Sequence, residues 1–235
     1  MELRIIGCDG SYPAALGACS GYLVDAGDQG KVLLDCGSGV MSKLMSIMDP
    51  ASLDAIVLTH WHNDHASDLL VLRYYLQIAG ARLSLYAPTE GGALRSLCEC
   101  SQFDLRDIAK GANVKGLDIQ AHPAAHAVPA FALKIAHAGR TLVYSGDLTE
   151  VGDMAAFAAE ADVLLCDATF TDAQWHAGMP HISARMAAKL ALDARVGQLV
   201  LIHCPPTNDA QTLLREAREV FQDTISAYSG LIIAL

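Results

Sequence analysis

Between positions 58 and 69 the chain reads "LTHWHNDHASDL". His60, His62, Asp64 and His65 fall within six positions, with Asp68 three further on. They follow the apolar run "AIVLT". Imidazoles and carboxylates are the usual ligands of zinc and other divalent first-row metals. A strand end points out of its sheet, and a tight turn there can aim alternate side chains at one point. Four ligands this close exceed one tetrahedral centre once distant ligands are added, so the spacing predicts two metals. The bland alternative is a solvated polar loop. It requires four metal-capable residues to follow a buried strand by coincidence.

More candidates stand at other strand ends. "LVYSGD" ends in Asp147, "LVLIH" ends in His203, and "AAHAVPAF" places His126 just before a strand. Taken singly, Asp147 could cap a helix and His203 could be a satisfied core histidine. Taken together, they suit a site outside the carboxyl ends of sheet strands. His122 competes with His126, whose placement in "HAVPAF" fits better. His137 in the turn "HAGR" reads as solvated, and His176 as a surface residue of a loop near the site. Trp61, between two candidate ligands, points away from them by alternation, to pack or to line the pocket entrance. Tyr74 and Tyr75 read as core or subunit-contact residues on a helix. Cys98 and Cys100 form only C-x-C and read as ordinary helix residues.

Positioning these groups requires a layered scaffold. Strand-like runs are "LRIIGC" (3–8), "GYLVDA" (21–26), "KVLLDC" (31–36), "AIVLTH" (55–60) and "LSLYA" (83–87). Later ones are "FALKIA" (131–136), "TLVYSG" (141–146), "DVLLCD" (162–167), "QLVLIH" (198–203) and "LIIAL" (231–235). Helical patterns lie between them: "SGVMSKLMSIM", "DLLVLRYYLQIAG", "SARMAAKLALDAR" with Met186, Leu190 and Ala194 on one stripe, and "DAQTLLREAREVFQ" after a capping Asp209. Apolar strands under helices give an α/β class with the sheets inside. With 235 residues, 52% hydrophobic and 18% charged, one large domain over 1–235 is expected. Net charge is −10, which opposes a generally nucleic-acid-coating surface. No run approaches the roughly 18 apolar residues of a membrane span. The start "MELRIIGCDG" has no basic-then-apolar leader pattern, and seven scattered cysteines suit a reducing compartment, so a cytoplasmic location is expected.

The stretch "THWHNDH", then His126, then "SGD" at Asp147, then His203 resembles the metallo-β-lactamase superfamily. "LLDCGSG" (33–39) is similar to that superfamily's early strand-and-turn motif. The resemblance covers nearly the whole chain. It implies an αββα four-layer sandwich with a two-metal site along one edge. One metal would take His60, His62 and His126, and the other Asp64, His65 and His203. Asp147 would bridge both beside a bridging water or hydroxide, with Asp35 hydrogen-bonding behind the site. Two cations held at roughly 3.5–4 Å bring a bound water's pKa towards roughly 7. The expected pair is Zn2+, with Mn2+ or Fe accepted by the same nitrogen and oxygen donors.

An aspartate at 147, where lactam-cleaving members carry cysteine, is similar to ribonuclease Z and its phosphodiesterase relatives. So are "GCDGSYPAALGACSGYLV" (7–24), "CDATF" (166–170) and "HISARMAAKLA" (181–191). That likeness implies proton transfer to the leaving oxygen by His181, held by Asp167. Asp64 joins them among the residues expected to act in catalysis. Imidazole as a class titrates near neutrality and suits such a role. Ribonuclease Z, however, inserts a long arm for transfer RNA between the equivalents of His126 and Asp147. Here only 20 residues separate them, enough for two strands and a turn. The arginine expected near positions 16–19 is also missing. Both departures, with the net charge, turn the expectation from nucleic acid to a small phosphodiester such as a cyclic nucleotide or cyclic sugar phosphate. The alternatives are an ester, lactone or thioester hydrolase, a ribonuclease Z-like endonuclease, and a non-catalytic metal-binding protein. The subgroup also suggests a homodimer.

Overall fold

In the computed structural model, which describes residues 1–235, the first half of the chain lays down β1 (Glu2–Gly7), β2 (Gly21–Asp25), β3 (Lys31–Leu34), β4 (Ala55–Val57), β5 (Leu83–Ala87) and β6 (Phe103–Asp107). The second half adds β7 (Ala112–Val114), β8 (Leu117–Ala124), β9 (Ala130–His137), β10 (Arg140–Tyr144), β11 (Val163–Asp167), β12 (Gln198–Ile202) and β13 (Thr224–Ser226). The last strand, β14 (Ile232–Ala234), returns to pair antiparallel with β1. Two seven-stranded sheets result, ordered β14-β1-β2-β3-β4-β5-β6 and β13-β12-β11-β10-β9-β8-β7. In each sheet four consecutive strands are parallel: β3 to β6 and β10 to β13.

Both faces of the inner parallel strands, β3 to β5 and β10 to β12, are covered, which is why they read as continuous apolar runs. In β3, Val32 and Leu34 face the opposite sheet while Leu33 faces outward. In β11, Val163 and Leu165 face inward while Leu164 and Cys166 face outward. The outer face of the first sheet is covered by α1 (Val40–Met45), α2 (Asn63–Ala66), α3 (Leu69–Ala79) and α4 (Gly92–Leu97). Leu44, Leu69, Leu72 and Leu76 pack there against Leu33, Ile56 and Leu58. The second sheet is covered by α5 (Met154–Phe157), α6 (Ala184–Ala194) and α7 (Ala210–Arg218). The three buried clusters hold 22, 21 and 21 residues, so three interfaces of similar size separate four layers. This is the expected αββα sandwich.

The helix termini follow local chemistry. Ser183 accepts from the Met186 amide at the start of α6, and Asp209 accepts from the Gln211 amide at the start of α7. The buried stripe of α6 is Ala187, Leu190, Ala191 and Ala194, with Met186 on its margin. No helix is long and apolar enough to cross a membrane.

Candidate metal centre

The candidate residues leave the carboxyl ends of the parallel strands. Asp35 follows β3, residues 58–65 follow β4, Asp147 follows β10, Asp167 ends β11 and His203 follows β12. His126 comes from the β8–β9 turn. Two residues adopt left-handed backbone to meet there, Asp35 at φ 55° and His203 at φ 61°. Such conformations are costly for residues with a Cβ and persist where the surroundings enforce them.

Three overlapping groups of ligand atoms form; two consist only of the candidate ligands, and the third joins Asp147 and His203 to Asp167 and His181. In the first, His60 Nε2 lies 3.0 Å from His62 Nδ1, which lies 3.1 Å from His126 Nε2. Asp147 Oδ2 is 3.7 Å from His60 Nε2 and 3.8 Å from His126 Nε2. In the second, His203 Nε2 is 3.2 Å from Asp64 Oδ2 and 3.6 Å from Asp147 Oδ2. His65 Nε2 is 3.2 Å from Asp147 Oδ1 and 3.8 Å from Asp64 Oδ2. Zinc bonds of about 2.0–2.1 Å in a tetrahedron separate ligand atoms by about 3.3–3.4 Å, so both groups are the right size for an ion. Asp147 belongs to both. The fully buried His65 Nε2, although 3.2 Å from Asp147 Oδ1, makes no well-aligned hydrogen bond. A buried nitrogen without such a bond is costly, and a cation between these donors would satisfy it.

The electrostatics divide the histidines. Burial holds the His60 imidazole well below its ordinary value and brings His126 down to about 4, so both are neutral with a free lone pair. His65 and His203 go the other way. Burial opposes their charged form, but the Asp147 charge outweighs it and lifts His203 to about 9. Burial likewise opposes charge on Asp147, but His203 and His65 hold it well below the carboxylate range. Without an ion, protons on His65 and His203 are the counter-charge. A divalent cation would displace them, which ties its binding to proton release.

Behind the ligands lie two matching braces. Asp35 Oδ2 accepts from His65 Nδ1 at 2.7 Å and from the Thr59 hydroxyl at 2.9 Å; that hydroxyl sits 3.0 Å from His60 Nδ1. The Tyr144 hydroxyl, reaching over from the second sheet, donates to the same Asp35 oxygen at 2.6 Å. In the second half, Asp167 Oδ2 pairs with His181 Nδ1 at 2.9 Å, and Asp167 Oδ1 accepts from the Thr169 hydroxyl at 2.8 Å. That hydroxyl sits 2.9 Å from His203 Nδ1. Each aspartate therefore holds one histidine directly and another through a threonine. Each threonine gives its proton to the carboxylate, leaving an oxygen lone pair to accept from a histidine Nδ1–H. That fixes the tautomer with Nε2 free.

The model of the beta-lactamase superfamily domain matches residues 31–204. The chain belongs to that superfamily. Over 99% of both chains it is 31% identical to the probable metallo-hydrolase YhfI of Bacillus subtilis. The crystal structure of that metallo-beta-lactamase fold protein superposes with a TM-score of 0.93 at 28% identity, covering 99% of this chain and 98% of the other. Ribonuclease Z of Archaeoglobus fulgidus is 26% identical, covering 96% of this chain and 95% of its own. Membership and the two donor groups together make this chain a metallo-hydrolase of the superfamily.

All seven candidate ligands of this superfamily member converge, and Asp35 lies behind them. The His181 nitrogen nearest the clusters, Nδ1, is 3.9 Å from Asp147 Oδ2 but already paired with Asp167. His122 is turned away: it pairs with Asp153 at 2.9 Å and stacks on Phe157. His176 is exposed in its loop, and His137 lies at the end of β9 against the Gly116 carbonyl. Trp61 packs on the outer side of the first sheet and also borders a surface hollow. Its indole donates to the Pro88 carbonyl at 2.9 Å, and a 320 Å³ hollow opens among Trp61, Glu90, Gly91, Gly92, Val128 and Pro129. Sequence reasoning passed over Thr59, Thr169 and Tyr144. The two threonines stand one residue before His60 and two after Asp167, a spacing that could have marked them.

Proposed function

We propose that this metallo-hydrolase cleaves phosphodiester bonds in a small substrate such as a cyclic nucleotide or cyclic sugar phosphate. In this reading His60, His62 and His126 hold one divalent ion and Asp64, His65 and His203 the other, with Asp147 shared. Zn2+ suits the donors best, and Mn2+ or Fe would also be accepted. Bound there, the ions supply Lewis acidity towards a phosphoryl oxygen and an activated water.

The observation that carries the phosphodiester reading is the His181–Asp167 pair at 2.9 Å beside the donor groups. With Nδ1 bound to Asp167, only Nε2 remains to meet a substrate. A phosphodiester releases an alkoxide, which needs a proton as it leaves, and in this reading His181 Nε2 gives it. Asp167 holds the ring and compensates the charge changes on it. A ribonuclease Z among the relatives supports the same bond type. The short link from β9 to β10 and the net charge of −10 favour a small substrate over RNA. The seven free cysteines suit a reducing, cytoplasmic setting. A homodimer belongs to the same reading, through α3, which exposes Val71, Tyr74 and Ile78.

The test is turnover of bis(p-nitrophenyl) phosphate and a panel of cyclic nucleotides and cyclic sugar phosphates, against esters, lactones and thioesters, under zinc, manganese and iron. The reading expects turnover among the phosphodiesters. Turnover confined to the acyl substrates would overturn it.

A further inference from the structure

We infer that Thr169 is a positioning residue that couples ion retention by His203 to proton donation by His181, through the single carboxylate of Asp167. The inference rests on the function proposed above and extends it to a residue that contacts neither substrate nor ion.

The argument comes from comparing the two braces. In the first, the two histidines held by Asp35 and Thr59 are His65 and His60, both in the donor groups. In the second, only His203 supplies a free Nε2 to a donor group, 3.2 Å from Asp64 Oδ2. The other histidine, His181, has spent its cluster-facing nitrogen on Asp167. The second brace thus joins one ion-holding ring to one ring left free for substrate. Both rings meet the same carboxylate, on different oxygens: His181 on Oδ2, and Thr169, with His203 behind it, on Oδ1.

The brace is tightly enclosed. Asp167 is fully buried and Thr169 is 3% exposed. Asp167 also accepts from the Leu148 amide at 3.1 Å and the Thr169 amide at 3.2 Å, so its plane has little freedom. The two rings lie with centroids 4.6 Å apart, close enough that tilting one moves the other. The threonine hydroxyl has an alternative acceptor in the His203 carbonyl at 3.2 Å. Donation to Asp167 is the shorter contact, and it gives the buried carboxylate oxygen a second donor beside the Thr169 amide. Replacing the hydroxyl by a methyl group leaves His203 Nδ1–H without an acceptor and Asp167 Oδ1 with one donor fewer. His203 is then free to turn, and Asp167 Oδ1 keeps only the Thr169 amide, which loosens the carboxylate that orients His181.

The test uses the full chain as wild type, Thr169→Val and Thr169→Ser, loaded with zinc and titrated with a chelator, and separately assayed for turnover with and without His181→Ala. Wild type is expected to hold two ions. Thr169→Val should release one of them about 10–100-fold more readily, the usual cost of losing such an outer partner. Thr169→Ser, which keeps the hydroxyl, should restore retention. Thr169→Val should also cost less turnover in the His181→Ala background than in wild type. If Thr169→Val does not fold, Thr169→Ala is read in the same titration. Wild-type retention of both ions without the hydroxyl would overturn the inference, as would losses from Thr169→Val and His181→Ala that simply multiply. A wild type that binds no ion would instead overturn the metal reading itself.

Discussion

Asp147 is the one side chain common to both donor groups, and it is 2% exposed at the end of β10. Asp147→Ala and His62→Ala should each abolish hydrolysis and lower metal content while leaving the circular dichroism spectrum largely intact. Activity above a few per cent of wild type in both would count against the metal mechanism. His181→Ala should behave differently: turnover falls by roughly 10²-fold or more with metal content unchanged. A near wild-type rate would remove its assigned role. At this scale the sequence was most readable where the chemistry demands titratable groups. Four candidate ligands sit in one short stretch, two more end apolar runs, and His126 stands just before one. Thr59 and Thr169 were not readable in the same way. A threonine is common in strands and turns, and its value here depends on which ring nitrogen its lone pair meets.

The element that aims the ligands is the turn from β4 into α2, and it is held by the turn after β3 and by the residue that leads into β2. Cys36 donates its amide to the His65 carbonyl at 2.7 Å, and Ser20 donates to the Asp64 carbonyl at 3.2 Å. A Cβ on Gly37 would lie 1.9 Å from the Asp64 carbonyl oxygen, so only glycine lets the two turns touch. Gly37→Ala should push the ligand turn outward, lowering both the melting temperature and the metal content, measured by thermal denaturation and elemental analysis. A variant with wild-type metal content would show that the turn tolerates displacement. The strands that carry the site were legible because both their faces are buried. β6, β7, β8 and β13 were not read as strands. They lie towards the sheet edges, where charged residues such as Asp104 and Arg106 interrupt the apolar run. The alternation of buried Leu117 and Ile119 with exposed Asp118 and Gln120 is a period-two signal that could have found β8.

Across the whole molecule, the concentration of acid and imidazole at one edge of the sandwich makes stability depend on pH and on metal together. In the metal-free protein, burial disfavours the His203 charge but Asp147 overrides it, holding the group at about 9. An unfolded histidine titrates near roughly 6.5, so this stabilisation is complete below that pH and is lost as pH rises through about 9. The metal-free melting temperature should therefore fall over that window, and the metal-loaded protein should change less. A metal-free curve that is flat or rising there would contradict the charge assignment. The net charge of −10 adds an expectation for partners: transfer RNA should not compete measurably with a small phosphodiester at physiological salt. The most direct measurement is the number of ions bound per chain after reconstitution, by elemental analysis, for wild type and Asp147→Asn. The account predicts two for wild type and fewer for the variant. One ion or none in wild type, or two in both, would contradict a shared centre.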